Sequence, residues 1–405
     1  MIVCLGDALG SKSQMGGKRT IVHAVAGYAE RAALLTRPAG CDLILSKQEM
    51  IMEWMIYGAN GYTGELIARE AKSQGTTPIL AGRSAAKVIA LARRLTLPST
   101  AFRLETPSEI VTALRGVRLV LNCAGPFSKT AGPLMRGCLA ASAHYLDITG
   151  EIDVLEGAHY FDADAKAAGV VLCPGAGFDV VPTDCIALML KKALPEATEL
   201  ALGFEMSGRR MSAGTAKTLV EGLGKSGKIR RAGRIVDWPL GRGLRRIDFG
   251  RGATLAMPIP WGDVASAFYT TGIPDITVFT PISPVSLAIA RLTNAFAPVL
   301  RSLWLQNWLV KKIEKDARGP DVSTRNANPS WVWGEAKDAY GRRQAIRIVT
   351  LNGYSLTVFS SLALAQQLMS NVCPPGCWTP ALFMGENFIL SLPGTSKLDL
   401  PHQIA

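Results

Sequence analysis

Glycines recur at three-residue intervals in Gly58-Ala59-Asn60-Gly61-Tyr62-Thr63-Gly64. The apolar Met55-Ile56-Tyr57 runs directly into them, and Glu65-Leu66-Ile67-Ala68 follows directly. Strand, glycine turn and helix, in that order, are what a pyrophosphate site in a βαβ unit needs. Gly58 permits the tight turn, Gly61 lets the backbone approach phosphate oxygens, and Gly64 lets the helix pack closely on the strand. The start of the helix then offers N–H groups and a partial positive charge to the anion. The spacing is G-x-x-G-x-x-G, looser than the stricter G-x-G-x-x-G, so the turn needs support from its surroundings.

That support comes from the next strand, Pro78-Ile79-Leu80-Ala81-Gly82-Arg83-Ser84. A site for NAD places Asp or Glu at this strand's end to hold the ribose 2′-hydroxyl. Here Arg83 and Ser84 stand in that place, with Lys87 one helical turn later. A guanidinium and a hydroxyl suit a 2′-phosphate by charge and by hydrogen-bond geometry. The expected cofactor is therefore NADP(H); a solvated arginine at a strand end is the plainer alternative.

A third cluster ends the run Arg118-Leu119-Val120-Leu121-Asn122-Cys123-Ala124-Gly125-Pro126-Phe127. Small residues at a strand's C-terminal end leave room for a cofactor at the switch point of a sheet. Asn122, Ala124, Gly125, Pro126 and Phe127 join the expected cofactor site on that ground. Tyr145 and Asp147 fall near the end of another short strand. A tyrosine there could donate a proton to a carbanion or enolate, with Asp147 and Glu151 orienting it or anchoring the loop. The plainer reading is a packed tyrosine and a turn aspartate. Phe178 and Asp179, in Pro174-Gly175-Ala176-Gly177-Phe178-Asp179, are expected to border the substrate. His144 and His159 read as ordinary structural or surface residues.

These residues need a scaffold. Helices over about Glu65–Gln74 and Gly132–Ala141 alternate with strands at Met55–Tyr57, Pro78–Ala81, Arg118–Leu121, Tyr145–Ile148 and Val170–Cys173. The alternation predicts an α/β fold, a Rossmann-type doubly wound parallel sheet. After Pro182 the pattern changes. A helix is expected over Asp184–Ala193. Strands are expected at Glu199–Met206, Thr254–Met257, Ser266–Thr270, Ile276–Phe279 and Ala345–Leu351, with Ser212–Leu219 as a loop entering a helix. Strands without regular helices between them indicate an inserted α+β substrate domain. Leu356–Met369 has the apolar density of a buried helix, and Thr379-Pro380-Ala381 opens another carrying Phe383, Met384, Phe388 and Leu390. Both are expected to return beside the first sheet. The divisions read as 1–51 (an extension, disordered or starting from an upstream codon), 52–182 (dinucleotide-binding), 183–354 (substrate) and 355–405 (returning helices).

Composition bounds the remainder. The chain has 405 residues, 48% hydrophobic and 19% charged, enough for a sizeable core in two domains. Its eight cysteines lack the density of a disulfide scaffold, and Cys373-Pro374-Pro375-Gly376-Cys377 is not a metal-binding pair, so no metal is expected. A reducing cytoplasm fits. No apolar run reaches the roughly 18 residues of a membrane span. The stretch Ile276–Val310, with Trp304, Trp308, Lys311 and Lys312, suits either a buried helix or peripheral contact with a membrane. The net charge of +12 is concentrated over Lys225–Gly252. That run reads as a solvated loop or edge strand, or as a receptor for an acidic partner such as coenzyme A or an acyl carrier protein. No nucleic-acid-binding motif accompanies it.

Several of these segments together resemble one family. They are Gly58–Gly64, Ala81–Ser84, Asn122–Phe127, His144-Tyr145-Leu146-Asp147-Ile148-Thr149-Gly150-Glu151, Pro174–Asp184 and Gly376-Cys377-Trp378-Thr379-Pro380-Ala381. The chain resembles the saccharopine dehydrogenase-like oxidoreductases, in the branch with trans-acting enoyl reductases of lipid and polyketide synthesis. The resemblance covers roughly residues 52 to 392. It implies a Rossmann domain, an inserted substrate domain and an NADP-type cofactor. The first expectation is thus an NADPH-dependent reductase of an apolar or acyl-linked substrate. An amino-acid dehydrogenase resembling saccharopine dehydrogenase would need a polar, cationic pocket instead. A non-catalytic NADPH-sensing regulator would need only the cofactor site.

Overall fold

The computed structural model describes residues 53–206, 226–295, 302, 304 and 319–398. The expected N-terminal extension, the loop at Ser212–Leu219, Lys225, Trp308, Lys311 and Lys312 lie outside these residues.

The first half of the chain alternates as the sequence predicts. Its strands are β1 (Glu53–Tyr57), β2 (Ile79–Gly82), β3 (Ser99–Ala101), β4 (Val117–Asn122), β5 (His144–Asp147) and β6 (Val171–Cys173). Between and after them come α1 (Tyr62–Ser73), α2 (Ala85–Leu95), α3 (Pro107–Ala113), α4 (Phe127–Ala141), α5 (Ile152–His159), α6 (Asp162–Ala168) and α7 (Val181–Ala193). The six strands are parallel, in the order β6-β5-β4-β1-β2-β3. The chain winds outward from β1 to β3, crosses back to β4 and winds the other way. The reversal between β1 and β4 opens a crevice at the strands' C-terminal ends, where doubly wound sheets bind ligands.

Burial on both faces explains the near-continuous apolar strands. Ile56, Leu119 and Leu121 face one core and Met55, Val120 and Tyr145 another, all without solvent contact. α1 buries Gly64, Ile67, Ala68 and Ala71, a spacing that places one helical face on the sheet.

The second sheet follows. Its strands are β7 (Ala197–Met206), β8 (Gly227–Arg231), β9 (Arg234–Trp238), β10 (Arg245–Asp248), β11 (Ala253–Ile259), β12 (Asp275–Pro281), β13 (Ser330–Asp338) and β14 (Arg343–Thr350). The helices α8 (Asp263–Thr271), α9 (Pro284–Ala295) and α10 (Val322–Ala327) lie among them. β12 pairs with β7 in parallel and the other neighbours run antiparallel, so the sheet is mixed. This is the α+β domain expected beside the Rossmann sheet.

The chain then returns. α11 (Gly353–Ser370) packs against α1 and β4, and its buried Leu356, Leu362, Leu364 and Leu368 explain the absence of charge there. β15 (Gly376–Cys377) extends the first sheet in parallel beyond β6. Next come α12 (Pro380–Met384), α13 (Phe388–Ser391) and β16 (Ser396–Leu398), which pairs with β14 in the second sheet.

Three expectations are corrected. Ser266–Thr270 is helix, inside α8, and not strand. The adjacent aromatics Phe268 and Tyr269, followed by the β-branched Thr270, imitate a strand. Buried Val264, Ala265 and Ala267, with Gly272 closing the helix at φ +69°, define helical packing instead. α4 starts at Phe127, five residues before the expected start, because Glu151 supplies its cap from far along the chain. The helix expected after Thr379 is two short helices, broken where Gly385 takes φ +86°.

The basic run forms β8, β9 and β10, and carboxylates meet much of it. Lys228 pairs with Asp237, Arg231 with Asp275, Arg245 with Glu335 and Arg251 with Glu205. Arg230 is buried and pairs with Glu156 of α5, which ties the second sheet to the first domain. Among the described residues no helix is long and apolar enough to cross a membrane. Trp304 is exposed.

Candidate active site

The glycine turn forms the cradle its spacing predicts. Gly58 takes φ +82°, and a Cβ there would lie 2.7 Å from the backbone nitrogen of Ala124. A Cβ on Gly64 would lie 2.5 Å from the carbonyl oxygen of Gly58. Only glycine fits either position, and the turn is thereby pressed onto the loop after β4. Gly61 precedes α1 with no side-chain cap. The first-turn amides of a helix lack intrahelical partners, so this end presents donors to an anion. The Tyr62 hydroxyl faces away from that task. It donates to the carbonyl of Pro320 and accepts from Arg325 Nη1 at 2.8 Å.

Arg83 leaves the end of β2 exposed, next to half-buried Ser84 at the start of α2 and exposed Lys87 in its first turn. The Asn60 side chain lies over Gly82, where a Cβ would be 3.1 Å from its Oδ1. Ala59 is buried and Thr63 half-buried within the same turn. The residues present thus fit a dinucleotide with a 2′-phosphate: a tight glycine turn, an uncapped helix start, and cations where a carboxylate would repel phosphate.

The ends of β4, β5 and β6 are joined by one buried network. Asn122 Nδ2 donates to the Tyr145 hydroxyl at 3.1 Å, and that hydroxyl donates to Asp147 Oδ2 at 2.8 Å. Asp147 Oδ1 accepts from the amides of Thr149 (3.0 Å) and Gly175 (2.9 Å). Asn122 Oδ1 accepts from the amide of Ala124 at 2.9 Å, which fixes the loop carrying Gly125, Pro126 and Phe127. Burial raises the Asp147 carboxyl to about 6, outweighing these hydrogen bonds. Burial, reinforced by the charge of Asp147, lifts the Tyr145 hydroxyl well above its ordinary range. Asn122, Tyr145 and Asp147 have no solvent contact, so they hold the strand ends in place and do not face the crevice. Cys123 is beside them, and burial pushes its thiol up, away from nucleophilic reactivity.

Glu151 anchors the opposite wall. Its two carboxylate oxygens accept from the amides of Phe127 (2.9 Å) and Ser128 (2.7 Å) at the start of α4. Phe178 is turned into the core, edge-on to Phe204 with ring centroids 5.6 Å apart, and its amide donates to Thr357 of α11. Asp179 is half-buried between the two domains. A Cβ on Gly150 would lie 2.8 Å from its Cβ, and Trp261 Nε1 donates to its carbonyl at 2.9 Å. Burial raises its carboxyl to about 7.

The structure therefore gathers the loops bearing Gly58–Gly64, Ala124–Phe127, Gly150–Glu151 and Gly175–Asp179 at one edge of the parallel sheet. Phe204 and Trp261 of the second domain join them and were not anticipated. Trp261 carried a faint signal, an aromatic between Pro260 and Gly262. Phe204 carried none, since an aromatic in an apolar strand reads as core. His144 accepts from the amide of Val171 and His159 stacks on Tyr269.

Fold and site define a dinucleotide-binding α/β protein with a second, mixed-sheet domain. Residues 54–173 match the family described as the saccharopine dehydrogenase NADP binding domain. A saccharopine dehydrogenase-like oxidoreductase of Mus musculus is 26% identical over 202 residues, which cover 44% of this chain and 47% of that one. A trans-acting enoyl reductase of Mycobacterium bovis is 27% identical over 213 residues, covering 48% and 50%. The chain spans about half the length of these curated relatives. In fold it is similar to saccharopine dehydrogenase (L-Glu forming) of Saccharomyces cerevisiae, at 10% identity and a TM-score of 0.55, over 86% of this chain and 100% of that one.

Proposed function

We propose that this chain is an NADPH-dependent reductase that acts on an apolar or acyl-linked substrate, as an enoyl reductase does. One observation carries the reading. The loop after β6, at the same sheet edge as the NADP-type cradle, packs Phe178 against Phe204, which in turn meets Trp261, an apolar cluster where an amino dicarboxylate would require cations. Lys228, Arg230, Arg231, Arg245 and Arg251 are engaged by carboxylates elsewhere, which disfavours the amino-acid dehydrogenase reading.

When bound, the reduced nicotinamide supplies a hydride. The chain's own residues do the rest. Gly58, Gly61 and the first turn of α1 would hold the pyrophosphate, and Arg83, Ser84 and Lys87 would select the 2′-phosphate. Asn122, Tyr145 and Asp147 keep the ends of β4, β5 and β6 in register. The thioester partner, coenzyme A or an acyl carrier protein, follows from the chemistry of an activated alkene and not from the basic run.

Oxidation of NADPH in the presence of trans-2-enoyl coenzyme A thioesters of increasing chain length tests this. Turnover that improves with chain length is expected. NADPH binding with no oxidation across the series would contradict it and favour a cofactor-sensing role.

A further inference from the structure

Five carboxylates gather around the ends of β5 and β6 and the starts of α7 and α8. Four are engaged. Asp147 accepts from two amides and Tyr145, and Glu151 caps α4. Asp184 accepts from Thr270 and from the amide of Ala381 at 2.8 Å. Asp263 accepts from the Thr183 hydroxyl at 2.6 Å through Oδ1, while its buried Oδ2 has no partner. Among the described residues the Asp179 carboxylate accepts no hydrogen bond and pairs with no cation.

Its backbone, by contrast, is pinned from three sides. Gly175 turns the chain at φ +80°, the amide of Phe178 donates to Thr357 at 3.0 Å, and Trp261 holds the Asp179 carbonyl. Gly150 makes room for the side chain: a Cβ there would lie 3.0 Å from Asp179 Oδ2. A loop held this firmly presents a half-buried acid with no protein partner at the cofactor edge of the sheet.

We propose that Asp179, and not Tyr145, delivers the proton that completes the reduction. The proposal rests on the reductase reading above. The conjugated alkene accepts a hydride from NADPH at its β-carbon, forming one C–H bond while NADPH becomes NADP⁺. The π electrons move onto the carbonyl as an enolate. The enolate's α-carbon then takes the Asp179 proton, forming the second C–H bond, and the carboxylate left behind is reprotonated from water. Tyr145 cannot serve, because its hydroxyl is enclosed and already donates to Asp147.

Burial keeps the proton on Asp179 into the neutral range, near the working pH that proton transfer favours. The charged groups facing it are acidic. Asp263 approaches from the start of α8, and burial with the charges of Asp184 and Asp179 holds its own carboxyl well above the usual range. Glu151 lies one residue beyond Gly150, with its charge turned to the start of α4.

The test is a carboxyl ¹³C NMR titration of the full-length chain labelled at aspartate. The Asp179 resonance is identified by its loss in both Asp179→Asn and Asp179→Ser, so that one misfolded variant does not decide the matter. The expected midpoint is about 7, and saturating NADPH should shift it. A midpoint below about 5, near an ordinary aspartate, would overturn the proposal. So would a resonance that ignores NADPH while the cofactor binds. In parallel, Asp179→Asn should bind NADPH with unchanged affinity and lose on the order of 10²-fold or more in kcat. Unchanged kcat would also overturn it. Failure of the wild-type chain to bind NADPH would instead remove the reductase reading itself.

Discussion

The Tyr145 hydroxyl donates to Asp147 Oδ2 across 2.8 Å while accepting from Asn122, with all three side chains closed to solvent. A pair placed at a strand end for chemistry is thus used to lock β4, β5 and β6 together. Tyr145→Phe would leave Asn122 Nδ2 and Asp147 Oδ2 without that partner inside the core. The expected loss is about 1–3 kcal/mol, read as a lower denaturant midpoint. Cofactor affinity should survive. A variant as stable as wild type but without turnover would return Tyr145 to the chemistry.

Gly58→Ala tests the cradle. A methyl group would meet the Ala124 backbone and would need a left-handed φ. At least about 2 kcal/mol of destabilisation is expected, with loss of NADPH binding. Retained binding at wild-type affinity would show that the turn does not hold the cofactor.

Glu151→Gln keeps the shape but removes the charge at the start of α4. The helix should lose about 0.5–2 kcal/mol, measured by thermal unfolding. No change would mean that the Phe127 and Ser128 amides find other acceptors.

The pH dependence has a defined sign. Asp179 titrates at about 7 when folded and near 4 when unfolded. Between those values the folded chain holds the extra proton, so raising the pH lowers stability. His159, which burial lowers to about 4 from an unfolded value near 6.5, contributes in the opposite direction over most of this window. A difference measurement cancels it. The Tm of Asp179→Asn minus that of wild type should grow from pH 4 to 7 and level off above. A flat difference would mean that the carboxyl is not held protonated.

Much of the site was legible because its requirements are local. The Gly58–Gly64 turn, the cations at Arg83 and Lys87 and the small residues after Asn122 are each set by what a short segment can do. The roles of the polar residues were not legible. Glu151 reaches Phe127 from 24 positions away, and Trp261 reaches Asp179 from 82. Such contacts depend on how β5, α4 and the second sheet come together. The helix at Ser266–Thr270 was hidden for a similar reason, since small and aromatic residues carry both periods until packing selects one. The returning helix α11 was visible because eighteen residues with so few charges must be buried.

The cofactor site is expected to prefer NADPH through Arg83. Titration of the purified chain with NADPH and NADH, followed by nicotinamide fluorescence, measures it directly, with Arg83→Ala alongside. Micromolar NADPH binding, clearly weaker NADH, and a preference that Arg83→Ala erases by about tenfold or more are predicted. No binding of either nucleotide, or equal losses for both on removing Arg83, would rule out an NADPH site built on Arg83.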